Sequence, residues 1–135
     1  MNISCFDDLL AAARQQSEPQ RLLFVFATVE LPDDCTPEQR IAFEAGSGGA
    51  LTPLACLDKS PDELDSFEAL YAESRQYVPH WTLVFAAALS GTKNRPPRSE
   101  DAEAPLNKMV EMIKSGFPGT LIPFDTSGYT VLLNA

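Results

Sequence analysis

The stretch RLLFVFATVEL at residues 21–31 is an apolar run of strand length, and the tetrad TPEQ at residues 36–39 follows it. A second pair consists of LTPLACL at residues 51–57 and the tetrad SPDE at residues 60–63. In each tetrad the hydroxyl of Ser or Thr can accept a hydrogen bond from a first-turn amide, and the Glu or Gln three residues later can reach back. Repeated units of a strand and a capped helix start predict an α/β domain.

The remaining apolar runs predict the strands of one sheet. Residues 22–29 and 81–89 are nearly all apolar, which is typical of central strands buried on both faces in a parallel or mixed sheet. The strand at residues 50–57 contains Pro53, which cannot donate to a ladder, so we expect an edge or bulged strand there. Residues 121–124 and 129–133 flank a glycine-containing turn and predict a C-terminal hairpin.

Apolar residues at helical spacing predict four helices. They cover residues 4–16, a segment from Thr36 to about Gly46, residues 61–77 and a segment opened by Pro105 that ends near Gly116. The order α-β-α-β-α-β-α-β-β predicts a single three-layer α/β domain over residues 1–135, with a mixed five-stranded sheet, helices on both faces and a C-terminal β-hairpin. Ser60 is the expected N-cap of the third helix, so Ser60→Ala should cost about 1 kcal/mol.

The composition excludes several classes of function. The net charge is −9 and the pI is about 4.4, which disfavours binding to nucleic acid and to anionic membranes because both need a basic face. Cys5, Cys35 and Cys56 show no metal-binding spacing. No signal peptide or membrane-spanning run is present, so we expect a cytoplasmic protein. The sequence contains no specific catalytic motif, and neither a metal nor a cofactor is predicted.

The segment GTKNRPPRS at residues 91–99 is the strongest candidate for a binding site. It places Lys93, Arg95 and Arg98 close together in an acidic chain, just beyond the C-terminal end of an apolar strand. Open α/β sheets bind ligands at that end of their strands. The three cations therefore predict contact with an anion or an acidic partner; the alternative is a solvated loop whose charges offset nearby acids.

Three acidic residues follow the first two predicted strands. Asp33 and Asp34 come after the first strand, and Asp58 follows the second. If the strands are parallel, these carboxylates join the basic segment at one edge of the sheet, where a cluster of them could bind a divalent cation. The alternative is that they make the local hydrogen bonds that aspartate usually makes in turns and first helical turns.

Several segments resemble a family of small proteobacterial proteins of about this length. They include FDDLLAAARQQSEPQRLLFVFA at residues 6–27, DKSPDEL at residues 58–64 and FAAALSG at residues 85–91. Members of that family often carry the label "ribonucleotide reductase subunit alpha". A catalytic large subunit needs a radical cysteine and a C-terminal cysteine pair, whereas the last cysteine here is Cys56. The resemblance therefore implies a small soluble protein and transfers no site residue.

These observations predict a non-enzymatic module that binds a protein partner or a small anionic ligand, and they leave a homodimer open. The alternative is an enzyme or a nucleotide- or anion-binding regulator that uses the C-terminal edge of the sheet. In that case the pocket would be lined by the six charged residues Asp33, Asp34, Asp58, Lys93, Arg95 and Arg98. A third interpretation is an accessory of a larger assembly, which would show a large exposed apolar patch.

Overall fold

The computed structural model describes residues 3–30, 35–44, 50–91, 95–115 and 121–131. Within these ranges the strands are β1 (Gln20–Glu30), β2 (Ala50–Lys59), β3 (Leu83–Ser90) and β4 (Ile122–Phe124). The α-helices are α1 (Phe6–Arg14), α2 (Pro37–Glu44), α3 (Phe67–Tyr77) and α4 (Glu103–Lys114). Two short 3₁₀ turns, Pro61–Glu63 and Ser99–Ala102, precede α3 and α4.

The four strands form one sheet in the order β2-β1-β3-β4, and every neighbouring pair is antiparallel. The predicted mixed sheet is therefore wrong in strand direction for the described residues. Since β2 and β3 both run against β1, they run in the same direction as each other on either side of it. The chain passes from β2 to β3 through α3, so these three elements form a βαβ crossover. β1 lies between the two strands in the sheet.

β1 is buried on both faces, as its apolar sequence predicts. Phe24 packs in one core cluster, to which α1 and α3 contribute, and Val25 packs in a second cluster, to which α4 contributes. Successive side chains of a strand point to opposite faces, so an almost continuous apolar run is needed when both faces are covered. Both residues are fully shielded from solvent.

β2 is an edge strand with a bulge, and both features follow from its proline. Pro53 pairs with Ala27 across the ladder, whereas Ala55 pairs with Phe26, so Leu54 is the extra residue at the register shift. Proline has no N–H to donate to a neighbouring strand, which is tolerated at an edge, where one side of the strand has no neighbour to bond. The prediction that this strand lies at an edge is confirmed.

The C-terminal segment contains the predicted turn but only part of the predicted hairpin. Gly128 adopts a φ of 85°, a conformation that glycine accepts without strain. Beyond the turn, Tyr129 and Thr130 form isolated bridges, to Cys5 and Phe124 respectively. Among the described residues no fifth strand is assigned, and residues 132 and 133 of the predicted strand lie outside them.

The third helix begins later than its sequence predicts. Ser60 and Glu63 form the expected capping box, with the Ser60 amide donating to Glu63 Oε1 at 3.0 Å, but it closes only a three-residue turn. The α-helix starts at Phe67, where Ser66 Oγ accepts from the Ala69 amide at 3.2 Å. The other predicted box is confirmed at α2, since Thr36 and Gln39 exchange two hydrogen bonds of 2.9 and 3.1 Å.

We expect Ser66→Ala to lower the free energy of unfolding by about 1 kcal/mol, because it removes the acceptor for a first-turn amide of α3. Ser60→Ala should cost less, since the turn that it caps has only three residues. Urea unfolding followed by far-UV circular dichroism compares the two variants. A larger loss for Ser60→Ala than for Ser66→Ala would contradict this assignment of the caps.

Candidate functional site

An open cavity of about 660 Å³ lies beyond the C-terminal end of β3. Its walls come from the end of the strand, from the basic segment and from the 3₁₀ turn before α4. The lining residues are Leu89, Ser90, Gly91, Arg95, Pro96, Pro97, Arg98 and Asp101. The volume falls within the range of about 300–1,000 Å³ that small-molecule sites occupy. We call this feature the β3-end cavity.

The floor of the cavity is held by backbone contacts at Gly91. The Gly91 amide donates to the Pro19 carbonyl at 2.8 Å, which ties the end of β3 to the residue before β1. A Cβ at this position would collide with the Arg95 carbonyl oxygen and would lie 3.0 Å from Pro97 Cδ. Only glycine at position 91 therefore lets Arg95 and Pro97 approach this closely, and Pro97 is buried.

Next to Gly91, the buried side chain of Gln20 joins the two strand ends. Its Nε2 donates to Ser90 Oγ at 2.9 Å and to the Glu18 carbonyl at 3.1 Å. Gln20 lies opposite Ser90 in the β1–β3 register. Both donor hydrogens of the Gln20 side chain are therefore used, and one of them holds the Ser90 hydroxyl at the rim of the cavity.

The two arginines of the cavity differ in their partners. Arg98 NH1 lies 2.6 Å from Glu100 Oε1, and Arg98 Nε lies 3.6 Å from Asp101 Oδ2. Arg95 is exposed, and within the described ranges it forms no ion pair. Among the described lining residues, the positive charge available to a ligand is therefore mainly that of Arg95.

Asp101 is held in its ionised form by the cavity wall. The Arg98 amide donates to Asp101 Oδ2 at 2.9 Å, and this hydrogen bond lowers the pKa of the Asp101 carboxyl below its usual value. Because the pKa is lowered in the folded state, the carboxylate stays charged to a more acidic pH than an ordinary aspartate. The associated stabilisation is lost only as the pH falls through that lowered pKa.

Asp58 does not line the cavity, contrary to the grouping that the sequence suggested. Its Oδ2 lies 2.5 Å from Arg21 Nε, and the two side chains are only 17% and 14% exposed. Glu63 Oε1 lies 3.8 Å from Arg21 NH1 on the other side. The carboxylate of Asp58 is therefore occupied in a cross-strand ion pair between β2 and β1.

Of the six predicted site residues, the structure brings Arg95 and Arg98 together. Asp33, Asp34 and Lys93 lie outside the described residues. The grouping of Asp33 and Asp34 with the basic segment assumed that β1 and β3 end at the same edge. Because these two strands are antiparallel, Glu30 at the end of β1 and Ser90 at the end of β3 lie at opposite ends of the sheet. β2 does end on the same side as β3, and there Asp58 is paired with Arg21.

Asp101 is the cavity residue that sequence reasoning missed. The available signal was its spacing, since an acidic residue three positions after Arg98 and just before a helix often closes a first turn. The structure shows this arrangement in the 3₁₀ turn Ser99–Ala102. The apolar walls at Leu89 and Pro97 carried no such signal, because apolar residues near a strand end are equally common in cores.

Other chemical groups give no second candidate within the part of the chain that the structure describes. His80 is exposed in the turn between α3 and β3, and the three cysteines are free thiols. In the same ranges, no group of three or more His, Cys, Asp or Glu side chains is arranged to hold a metal ion.

None of the helices within the described ranges has the length and apolar character needed to cross a bilayer. Comparison of the chain with protein-family models, with curated proteins and with solved structures found no match.

Proposed function

We propose that this protein is a non-enzymatic binding module that takes a small anionic ligand in the β3-end cavity. The observation that carries the proposal is the exposed guanidinium of Arg95, which lines an open cavity and has no ion pair within the described residues. A guanidinium presents a planar set of donors that matches carboxylate and phosphate oxygens. A free group of this kind in an acidic chain of net charge −9 gives the cavity a local preference for anions.

The lining supports binding and offers little for catalysis. Ser90 is the only hydroxyl among the described lining residues, and its oxygen accepts a hydrogen bond from Gln20. A serine nucleophile needs an adjacent base, and no described lining residue is a histidine or a lysine. The enzyme alternative therefore has no supporting observation at this cavity.

The proposal keeps the predicted three-layer arrangement for the domain. Alternate side chains of β1 belong to two core clusters, one shared with α1 and α3 and the other with α4, which supports helices on both faces. When helices cover both faces, a ligand can reach the sheet at the ends of its strands. A cytoplasmic location and a homodimer stay predictions.

We expect Arg95→Ala to weaken anion binding at least about tenfold, because a hydrogen bond to a charged group contributes about 1.5–3 kcal/mol. Amide NMR titrations with inorganic phosphate and with phenylacetate, at constant ionic strength, measure the affinity. The amide resonances of Gly91 and Ser99 should shift on addition of at least one of the two anions, phosphate or phenylacetate.

Arg40→Ala is the matched control, since Arg40 is an exposed arginine of α2 and does not line the cavity. It removes the same charge from the chain and should leave the affinity unchanged. If both variants bind the anion equally weakly, the loss of affinity comes from the change in net charge and not from the cavity. Unshifted resonances with every probe would exclude an anion site at this cavity.

A further inference from the structure

The charges of the described residues around the β3-end cavity are balanced. Arg95 and Arg98 contribute two positive charges, and Asp101 in the lining and Glu100 beside it contribute two negative ones. Arg98 is already engaged by both carboxylates, at 2.6 Å from Glu100 and 3.6 Å from Asp101. Among the described residues, the guanidinium of Arg95 is therefore the one without an ion pair, and it can neutralise one negative charge of a ligand.

A ligand with several negative charges meets a penalty at this site. Its second and third charges would lie near the carboxylates of Asp101 and Glu100, and like charges brought together oppose binding. Arg98 adds little attraction for such a ligand, because its charge is already offset by Glu100 at 2.6 Å. Triphosphates and other polyanions are poorly matched to these charges.

The rest of the described lining is largely apolar. Leu89 is half-buried at the end of β3, and Pro97 is buried where the basic segment folds back onto Gly91. Pro96 adds a rigid ring at the exposed side. Apolar walls gain free energy by removing the apolar surface of a ligand from water. A volume of about 660 Å³ leaves room for more than a bare carboxylate or phosphate group.

We propose that the cavity is selective for monocarboxylates with an apolar body, whose carboxylate binds Arg95 and whose body packs against Leu89, Pro96 and Pro97. This inference rests on the proposed function and specifies its ligand class. Glu100 sets the selectivity, because it offsets the charge of Arg98 and adds a negative charge beside the site.

Amide NMR titrations of the full chain with phenylacetate, acetate and tripolyphosphate at constant ionic strength test the ligand class. We expect phenylacetate to bind at least about tenfold tighter than tripolyphosphate, a difference of about 1.4 kcal/mol. Acetate should bind more weakly than phenylacetate because it has no apolar body to bury. Arg95→Ala should weaken phenylacetate binding, and Arg40→Ala should not.

Glu100→Gln tests the origin of the selectivity. Glu100 accepts no capping hydrogen bond from a described residue, and its side chain is 66% exposed, so the variant should fold normally. Without the carboxylate of Glu100, the charge of Arg98 is no longer offset, so the ratio of the phenylacetate affinity to the tripolyphosphate affinity should fall several-fold. An unchanged ratio of the two affinities would remove Glu100 as the selectivity residue.

The outcomes separate the ligand class from the proposed function. If tripolyphosphate binds more tightly than phenylacetate and both depend on Arg95, the class is wrong while the anion site stands. If acetate and phenylacetate bind equally, the apolar walls play no part and the class is again wrong. If none of the three probes binds, both proposals are overturned.

Discussion

Trp81→Ala should lower the free energy of unfolding by about 3–5 kcal/mol, the range found for removing large aromatic side chains from cores. Trp81 is 1% exposed, and its ring centroid lies 5.2 Å from that of Phe26 and 5.8 Å from that of Tyr71. Its indole N–H donates to Ser74 Oγ at 2.8 Å, and Ser74 Oγ in turn donates to the Tyr71 carbonyl at 2.9 Å. The variant loses both the packing and the polar chain.

The guanidinium of Arg75 adds to this cluster. It lies 4.7 Å from the centroid of the Tyr71 ring and 5.0 Å from that of Trp81, and it donates to the carbonyls of Pro79 and Trp81. Cation–π contacts contribute about 0.5–2 kcal/mol, more where water is excluded. Trp81 thus attaches the end of α3 to the start of β3, so its removal loosens two elements at once.

Urea unfolding followed by far-UV circular dichroism measures the loss, since Trp81 is the only tryptophan and its fluorescence disappears with it. Trp81→Phe keeps an aromatic ring and should lower the free energy of unfolding less than Trp81→Ala does. It therefore still gives a measurable unfolding transition if the alanine variant does not fold. Tyr77→Ala is the control, because Tyr77 is 74% exposed and should change stability by less than about 0.5 kcal/mol. Equal midpoints for Trp81→Ala and the wild type would contradict the packing argument.

We expect Asp58→Ala to lower the free energy of unfolding by about 2 kcal/mol, because it leaves the guanidinium of Arg21 largely buried without its closest partner. The loss should fall below that of a fully buried pair, since both side chains keep some solvent exposure and Glu63 lies 3.8 Å from Arg21. Anion binding at the β3-end cavity should be unchanged, because Asp58 does not line it.

A double-mutant cycle with Arg21→Met tests the pair directly. If the ion pair accounts for the loss, the double variant should be less destabilised than the sum of the two single variants. Asp62→Ala is the matched control, since Asp62 is an exposed aspartate nearby in the chain. If Asp58→Ala instead unfolds at the same urea concentration as the wild type but no longer binds phenylacetate, Asp58 is a ligand-binding residue.

Much of the local structure could be predicted because it depends on short-range chemistry. The reciprocal hydrogen bonds of Thr36 and Gln39 need only residues three apart, and the edge position of β2 follows from the missing amide of Pro53. The start of α3 was misplaced because both Ser60 and Ser66 can cap a helix. The chain resolves the choice by inserting Leu64, which is 2% exposed, into the core between the two caps.

The candidate site was predicted only in part. The sequence grouped Arg95 and Arg98 because they are close in the chain, and the structure places both in the lining of the β3-end cavity; their role in binding stays a prediction. The partners that set their availability depend on geometry: Arg98 is engaged by Glu100 and Asp101, whereas Asp58 is engaged by Arg21. Charge counts along a sequence do not show which opposite charges lie within reach of one another.

The amino-acid sequence was enough to predict that β1 and β3 are central strands, that β2 lies at an edge and that a basic segment follows β3. These features depend on apolar content, on a missing donor and on residue order. The strand directions, and with them which strand ends share an edge, became known from the fold alone. An apolar run records burial on two faces but not the direction of the neighbouring strand, because antiparallel and parallel ladders bury the same side chains.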